Sequence, residues 1–327
     1  MKAPVPGTIH RLRRYPADLA FRVGTGAFAL LIIVIVAGIG FELTRQSLLS
    51  IQKFGLDFWR TSTWDPVQGN FGALPFIWGT LYSSVLALLI ATPIAIGIAV
   101  FISELCPARL RQPLVFITEL LAAIPSIVYG LWGVFILVPA VRSLETWMPE
   151  YLKEWAIFSG PPLGLGMLSA ALILAVMVLP FTSSVAREVL KSVPGTQREA
   201  AYALGATRFE AISAALFYAR TGIVGAVMLG FGRALGETMA VTMVIGNNPK
   251  ISLSLFAPQY TMAAVIANEF AEAADELHLH ALIEIGLVLF IVTLIVNALS
   301  RLLIWSMASG TRRAAKPRPA APAQAAA

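Results

Sequence analysis

Four stretches of this chain, 23–41, 66–103, 120–141 and 156–186, contain no Asp, Glu, Lys or Arg. Each is long enough for a helix across a bilayer, which needs ~18 residues or more. Two further stretches are nearly as clean: 221–246 is interrupted only by Arg233 and Glu237, and 281–300 only by Glu284. In hydrocarbon every backbone N–H and C=O must be satisfied within the protein, so segments of this kind span as helices. The chain therefore reads as an all-α integral membrane protein with six transmembrane helices, at about 22–44, 74–102, 113–141, 161–186, 220–246 and 281–305. Composition agrees. Hydrophobic residues make up 57% of the 327 and charged ones 13%, with mean hydropathy +0.77, too little polar surface to coat a soluble globule.

Lys and Arg set the expected orientation. With both termini inside, the basic groups Arg11, Arg13 and Arg14, then Arg187, Lys191, Arg198 and Arg208, then Arg312, Arg313, Lys316 and Arg318 all fall on the inner side. The outer loops keep only scattered cations such as Arg45, Lys53, Arg142 and Lys153, which is the positive-inside pattern. The pI near 9.7 then records topology and implies no nucleic-acid partner. Segment 251–268 is also uncharged, but it carries Ser252, Ser254, Pro258, Gln259, Thr261 and Asn268. As a seventh span it would put the basic C-terminus outside, so it reads as an outer loop or interfacial segment. The first apolar stretch outlasts a signal-peptide core and no A-x-A site follows Phe41, so it is expected to remain a helix. The chain divides into a basic inner segment 1–21, a six-helix domain 22–308 and a disordered Ala/Pro-rich inner tail 309–327. Trp59, Trp64, Trp147, Trp155 and Trp305 fall near the expected interfaces, as aromatic belts do.

The inner loop 187–219 has definite chemistry. Val193-Pro194-Gly195 breaks the preceding helix. Thr196-Gln197-Arg198-Glu199 matches a capping box, and Gly205 stands where a left-handed helix cap is favoured. Thr207-Arg208-Phe209-Glu210 is a second capping box that starts another helix at once. Two short helices meeting at a Gly, with Ala200, Ala201 and Ala203 allowing close approach, make a knob that fits a partner's groove; an ordinary well-folded connector would carry the same signals.

Within the fifth stretch, Arg233 is costly in lipid, by ~2.5–3.5 kcal/mol on insertion scales, and should face protein or water. Glu237, four residues on, stands one helical turn away where the two can pair. Gly232 and Gly236 at the same spacing leave a seam for a neighbouring helix. These residues fit a structural ion pair. They fit equally an anion pathway, in which a guanidinium offers phosphate-type oxygens a planar donor fork and the carboxylate holds it at rest. In the third span, Pro125 is expected to kink the helix. Glu119 is expected to pair with Arg111 or with another helix, and Glu284 to reach the headgroups. His278 and His280 lie in an acidic loop with no evident third ligand, so no metal site is expected. The sequence holds no P-loop motif, so any ATP-driven step needs a separate subunit, and no nucleophilic or acid–base constellation marks an enzyme.

Two motifs resemble known proteins. Glu199-Ala200-Ala201 followed by Gly205 resembles the EAA loop of bacterial ATP-binding-cassette importer permeases; the later positions of that pattern fall on Ala215, Phe217 and Tyr218 and do not match. The run Gly232-Arg233-Ala234-Leu235-Gly236-Glu237-Thr238-Met239-Ala240-Val241 resembles PstC-type permeases of bacterial phosphate importers. So do the segment Glu119 to Gly133 and the run Ile266-Ala267-Asn268-Glu269-Phe270-Ala271-Glu272. The sister PstA-type permease, the alternative reading within this family, shares the Leu-Gly-Glu-Thr core. The resemblance implies a type I importer permease fold in the bacterial inner membrane, with Glu199, Ala200, Ala201 and Gly205 docking an ATPase and Arg233 and Glu237 on a translocation pathway. It implies as partners a PstA-type permease, a PstB-type ATPase dimer, a periplasmic phosphate-binding protein and phosphate, besides membrane lipid. It also implies no cofactor on this chain itself, with ATP used by the partner. The other class open to such a sequence is a self-sufficient secondary anion transporter or channel, whose inverted repeats are not evident.

Overall fold

The computed structural model describes residues 16–314, with side-chain detail from Leu19 to Met307. Residues 1–15 of the expected basic segment and 315–327 of the expected tail lie outside the described residues. Six helices among the described residues are long and apolar enough to cross a membrane. The order begins with α1 (Pro16–Gln46), α2 (Leu48–Phe54) and a 3-10 turn (Gly55–Trp59), then α3 (Leu74–Val100), which ends in a π-helical turn (Phe101–Leu105). Next come α4 (Ala108–Ala123), α5 (Ser126–Trp132), a second π turn (Gly133–Leu137), α6 (Val138–Trp147) and α7 (Glu150–Lys153). The remainder is α8 (Met167–Lys191), α9 (Gly195–Ala203), α10 (Arg208–Leu235), α11 (Met239–Val244), α12 (Met262–Glu269) and α13 (Glu276–Ala314). The last helix thus continues past 309, where the tail was expected to begin.

Small residues set the packing. Ala87, Ala91, Ala95 and Ala99 recur every fourth position of α3 and are all buried. That stripe lets α3 lie close against α8, most of whose apolar window is buried. In lipid such close van der Waals packing replaces the hydrophobic drive that holds soluble helices together. On α10 the equivalent seam is Gly222, Ala226 and Gly230. A Cβ on Gly222 would come within 2.5 Å of Val189, and one on Gly230 within 2.4 Å of Thr182 Oγ1. The expected seam at Gly232 and Gly236 takes no neighbouring helix among the described residues: a Cβ there meets nothing nearer than 3.9 Å. The spacing was right and the register wrong by two residues, which turns the glycines off the α8 face.

Two of the six expected helices are broken. Ile124 (ψ 130°) and Pro125 (ψ 142°) are extended, so Pro125 does more than kink the third span. It separates α4 from α5, because proline drives the residue before it out of helical geometry. The Tyr129 hydroxyl donates to the Leu121 carbonyl at 2.8 Å, satisfying an acceptor that the break exposes. The fifth span was expected at 220–246 but begins at Arg208, fused with the second short helix of the loop, and ends at Leu235. The halves beyond the two breaks pack on each other. A Cβ on Gly130 would stand 2.6 Å from Met243 Sδ and 3.1 Å from Ala240 Cα, and one on Gly133 2.9 Å from Val244 Cγ1.

Segment 251–268 is no span. It is an irregular chain leading into α12, with Phe256, Tyr260, Met262 and Val265 buried. Its carbonyls are met by side chains: Trp78 Nε1 donates to Ser252 O at 3.1 Å, Gln259 Nε2 to the same oxygen at 2.8 Å, and Tyr82 Oη to Leu253 O at 2.9 Å. Irregular backbone packed against a membrane bundle is tolerated when protein satisfies its polar groups. Glu284, expected at the headgroups, is instead buried on α13. His278 Nε2 donates to Glu269 Oε2 at 3.1 Å and the ring stacks on Phe71.

Candidate functional site

The loop between α8 and α10 folds partly as its residues dictate. Pro194 (φ −56°, ψ 136°) occupies the cap position of α9 and its carbonyl accepts the Gln197 amide at 3.1 Å. Thr196 is therefore already helical and cannot cap, so the first expected capping box does not form. The second does: Glu210 N donates to Thr207 Oγ1 at 3.4 Å, and Thr207 N to Glu210 Oε2 at 2.7 Å. Gly205 has φ +82°. Its amide donates to Tyr202 O at 2.9 Å and that of Ala206 to Ala201 O at 3.1 Å, the bond pair of a Schellman cap.

The end of α9 and the turn into α10 present large apolar side chains outward. Leu204 is 90% exposed, Phe209 81% and Tyr202 51%, while Glu199, Ala200 and Gly205 are exposed beside them and Ala201 is half-buried. An exposed aromatic and aliphatic patch on a loop marks a contact surface. Tyr202, Leu204 and Phe209 were not singled out by the sequence reading, although large apolar residues between capping signals could have marked them.

Beneath this knob, Arg198 Nε and Nη2 donate to Glu104 at 3.2 and 2.5 Å, and Arg208 Nη2 donates to the Glu104 carbonyl at 2.8 Å. Glu119 meets neither Arg111 nor solvent alone. It pairs at 3.3 Å with Arg187 of α8, which also meets Glu188 at 2.9 Å.

The second site is the break after α10. Arg233 occupies the last turn of α10 and Glu237 lies beyond its end, where Gly236 (φ −95°, ψ 3°) departs from helical geometry. The two are thus not on one helix face, and no Arg233–Glu237 ion pair forms among the described residues. Glu237 Oε1 instead accepts the Ala240 amide at 3.3 Å, capping α11. The Arg233 guanidinium is exposed and lies 5.8 Å over the Phe181 ring. The break therefore carries a guanidinium with no carboxylate partner among the described residues.

Residues 91–308 match the family described as binding-protein-dependent transport system inner membrane component. The chain is 44% identical over 302 residues to the phosphate transport system permease protein PstC of Mesorhizobium japonicum, covering 90% of this chain and 92% of that protein. It is 46% identical over 301 residues to the protein of the same name from Pasteurella multocida, covering 90% and 94%. Among solved structures, a chain of the MetNI methionine ABC transporter in an inward-facing crystal form aligns with TM-score 0.54 at 15% identity, over 71% of this chain and 94% of that one; the likeness is one of fold. The chain belongs to the inner-membrane components of binding-protein-dependent transport systems and, among these, to the PstC-type permeases. It is a multi-pass membrane transport component.

Proposed function

We propose that the chain is a transmembrane permease subunit of an ATP-driven phosphate importer, oriented N-in and C-in. It works with a PstA-type permease, a pair of ATPase subunits that hydrolyse ATP, and a periplasmic phosphate-binding protein. The knob of Tyr202, Leu204 and Phe209 with Glu199, Ala200, Ala201 and Gly205 docks the ATPase. Arg233 serves the pathway. The observation that carries this reading is the exposed guanidinium at a helix break within a chain so similar to phosphate permeases. An arginine at membrane depth is too costly to leave against lipid, so its open face belongs against the second permease and the passage between them. There its planar fork can take two oxygens of one phosphate, as Arg does in preference to Lys.

The test is labelled-phosphate uptake by the complete importer in liposomes. Arg233→Gln is expected to lose nearly all uptake while the ATPase still copurifies; undiminished uptake would remove Arg233 from the pathway. Orientation is tested separately with single cysteines in a Cys106→Ser background. Cysteine at Val67, which is 96% exposed, or at Asp275 is expected to react with an impermeant thiol reagent from the periplasm, and cysteine at Leu204 is not. Labelling of position 204 from outside would reverse the topology.

A further inference from the structure

Glu104 and Arg198 are 94 residues apart in sequence, yet together they close the end of the bundle that carries α9. Glu104 lies in the π turn that ends α3, where the Cys106 amide reaches back to Phe101 O at 2.7 Å. Such a turn holds one more residue than an α-turn and re-aims the side chains it carries. The Glu104 and Arg198 side chains are 12% and 23% exposed. Besides its two bonds to the carboxylate, Arg198 donates to Leu190 O and Val193 O, each at 3.1 Å. These carbonyls lie at and just beyond the C-terminal end of α8, where helical acceptors lack partners. One guanidinium thus ties α9 to the ends of both α3 and α8.

A nine-residue helix is marginal on its own, and α9 is joined covalently only to α8 and α10. Without this pair it has no polar hold on α3 among the described residues. With it, a push on α9 loads α3 as well, and α3 carries the alanine stripe against which α8 packs. We infer that the Glu104–Arg198 pair is a positioning link that carries displacement of the coupling helix into α3; this rests on the transport reading above. A pair that only anchored α9 would lower assembly, hydrolysis and uptake together. A link should spare hydrolysis and lose transport.

In the complete importer in liposomes, Glu104→Gln is expected to keep its ATPase and its hydrolysis rate, while phosphate imported per ATP falls about fivefold or more, the range of coupling between distant sites. Glu104→Asp, which keeps the carboxylate, should restore most of that ratio. An unchanged ratio in Glu104→Gln, or a parallel fall of ATPase retention, hydrolysis and uptake, overturns the link. A second measurement does not depend on the substrate: spin labels at Ala203 on α9 and at Leu89 on α3 are expected to keep their separation when nucleotide binds in the native chain, and to drift apart in Glu104→Gln. Identical responses in the two chains also overturn it. Native importer that hydrolyses ATP without importing phosphate would instead refute the transport reading, and the label distances then decide the link alone.

Discussion

The two ends of α10 are finished differently. At its start several strong polar groups have found partners within the chain: Thr207 and Glu210 cap each other, Gly205 closes α9, and Arg198 and Arg208 converge on Glu104. At its far end the helix unwinds, the carboxylate turns away to cap α11, and Arg233 is left facing outward. The first arrangement is that of a rigid part made to be pushed, and its largest exposed side chains are the apolar Tyr202, Leu204 and Phe209. The second is a charge the chain itself does not neutralise, placed where burying it uncompensated would be expensive.

The sharpest way to break this contrast compares Arg233 with Glu237. Had the two formed a resting pair, removing either would do similar harm. Since Glu237 instead accepts one amide at the start of a short helix, and Gln keeps an oxygen that can accept it, Glu237→Gln should cost well under ~1 kcal/mol of local stability and leave most uptake intact. Loss of a hydrogen-bonded charge on a ligand costs ~2–5 kcal/mol, so Arg233→Gln should depress uptake roughly 30-fold or more. Equal losses of labelled-phosphate uptake in the two variants would restore the coupled pair.

A smaller effect is expected at the other end. No atom lies within 4 Å of a Cβ added to Gly205, so substitution there is strained only through its φ of +82°, by ~1–2 kcal/mol for ordinary residues. Gly205→Ala should therefore weaken ATPase retention in detergent modestly, and Gly205→Leu more, because it also fills space a partner needs. Gly205→Asn, which tolerates the left-handed region, should be milder than Ala. If Asn and Ala proved equally harmful, the backbone explanation would fall.

How much of this could be read beforehand divides along physical lines. The spans were legible because charge is excluded from lipid, and Gly205 and the Thr207 box because capping is local chemistry. The breaks were not. Apolar residues surround Ile124, and at Leu235 the two charges Arg233 and Glu237 stand at a spacing that an unbroken helix would equally allow, so neither break shows as an end of the apolar run; Pro125 announced a disturbance but not its size. The Gly232 and Gly236 seam failed for a related reason, since Gly222, Ala226 and Gly230 show the same spacing and only the neighbouring helix decides which stripe it meets. Glu104 and Arg198 carried no mutual signal at all, being joined by tertiary packing alone.

The least effect, and the cleanest internal control, comes from the two threonines that share one motif. Thr196-x-x-Glu199 and Thr207-x-x-Glu210 are equivalent as sequence, but Pro194 starts α9 before Thr196 can act, whereas nothing pre-empts Thr207. Replacing a working cap by Ala costs about 1 kcal/mol, and the box at Thr207 also fixes the angle at which α10 leaves the knob. Thr207→Ala should thus lower the unfolding midpoint of the detergent-solubilised chain by a few degrees, which is roughly what 1 kcal/mol does to a chain of moderate size. Thr196→Ala should leave that midpoint where it is, or raise it slightly, because alanine is the better helix former inside a first turn. Equal destabilisation by the two changes would mean that Thr196 caps α9 after all and that the chain enters that helix later than Gly195.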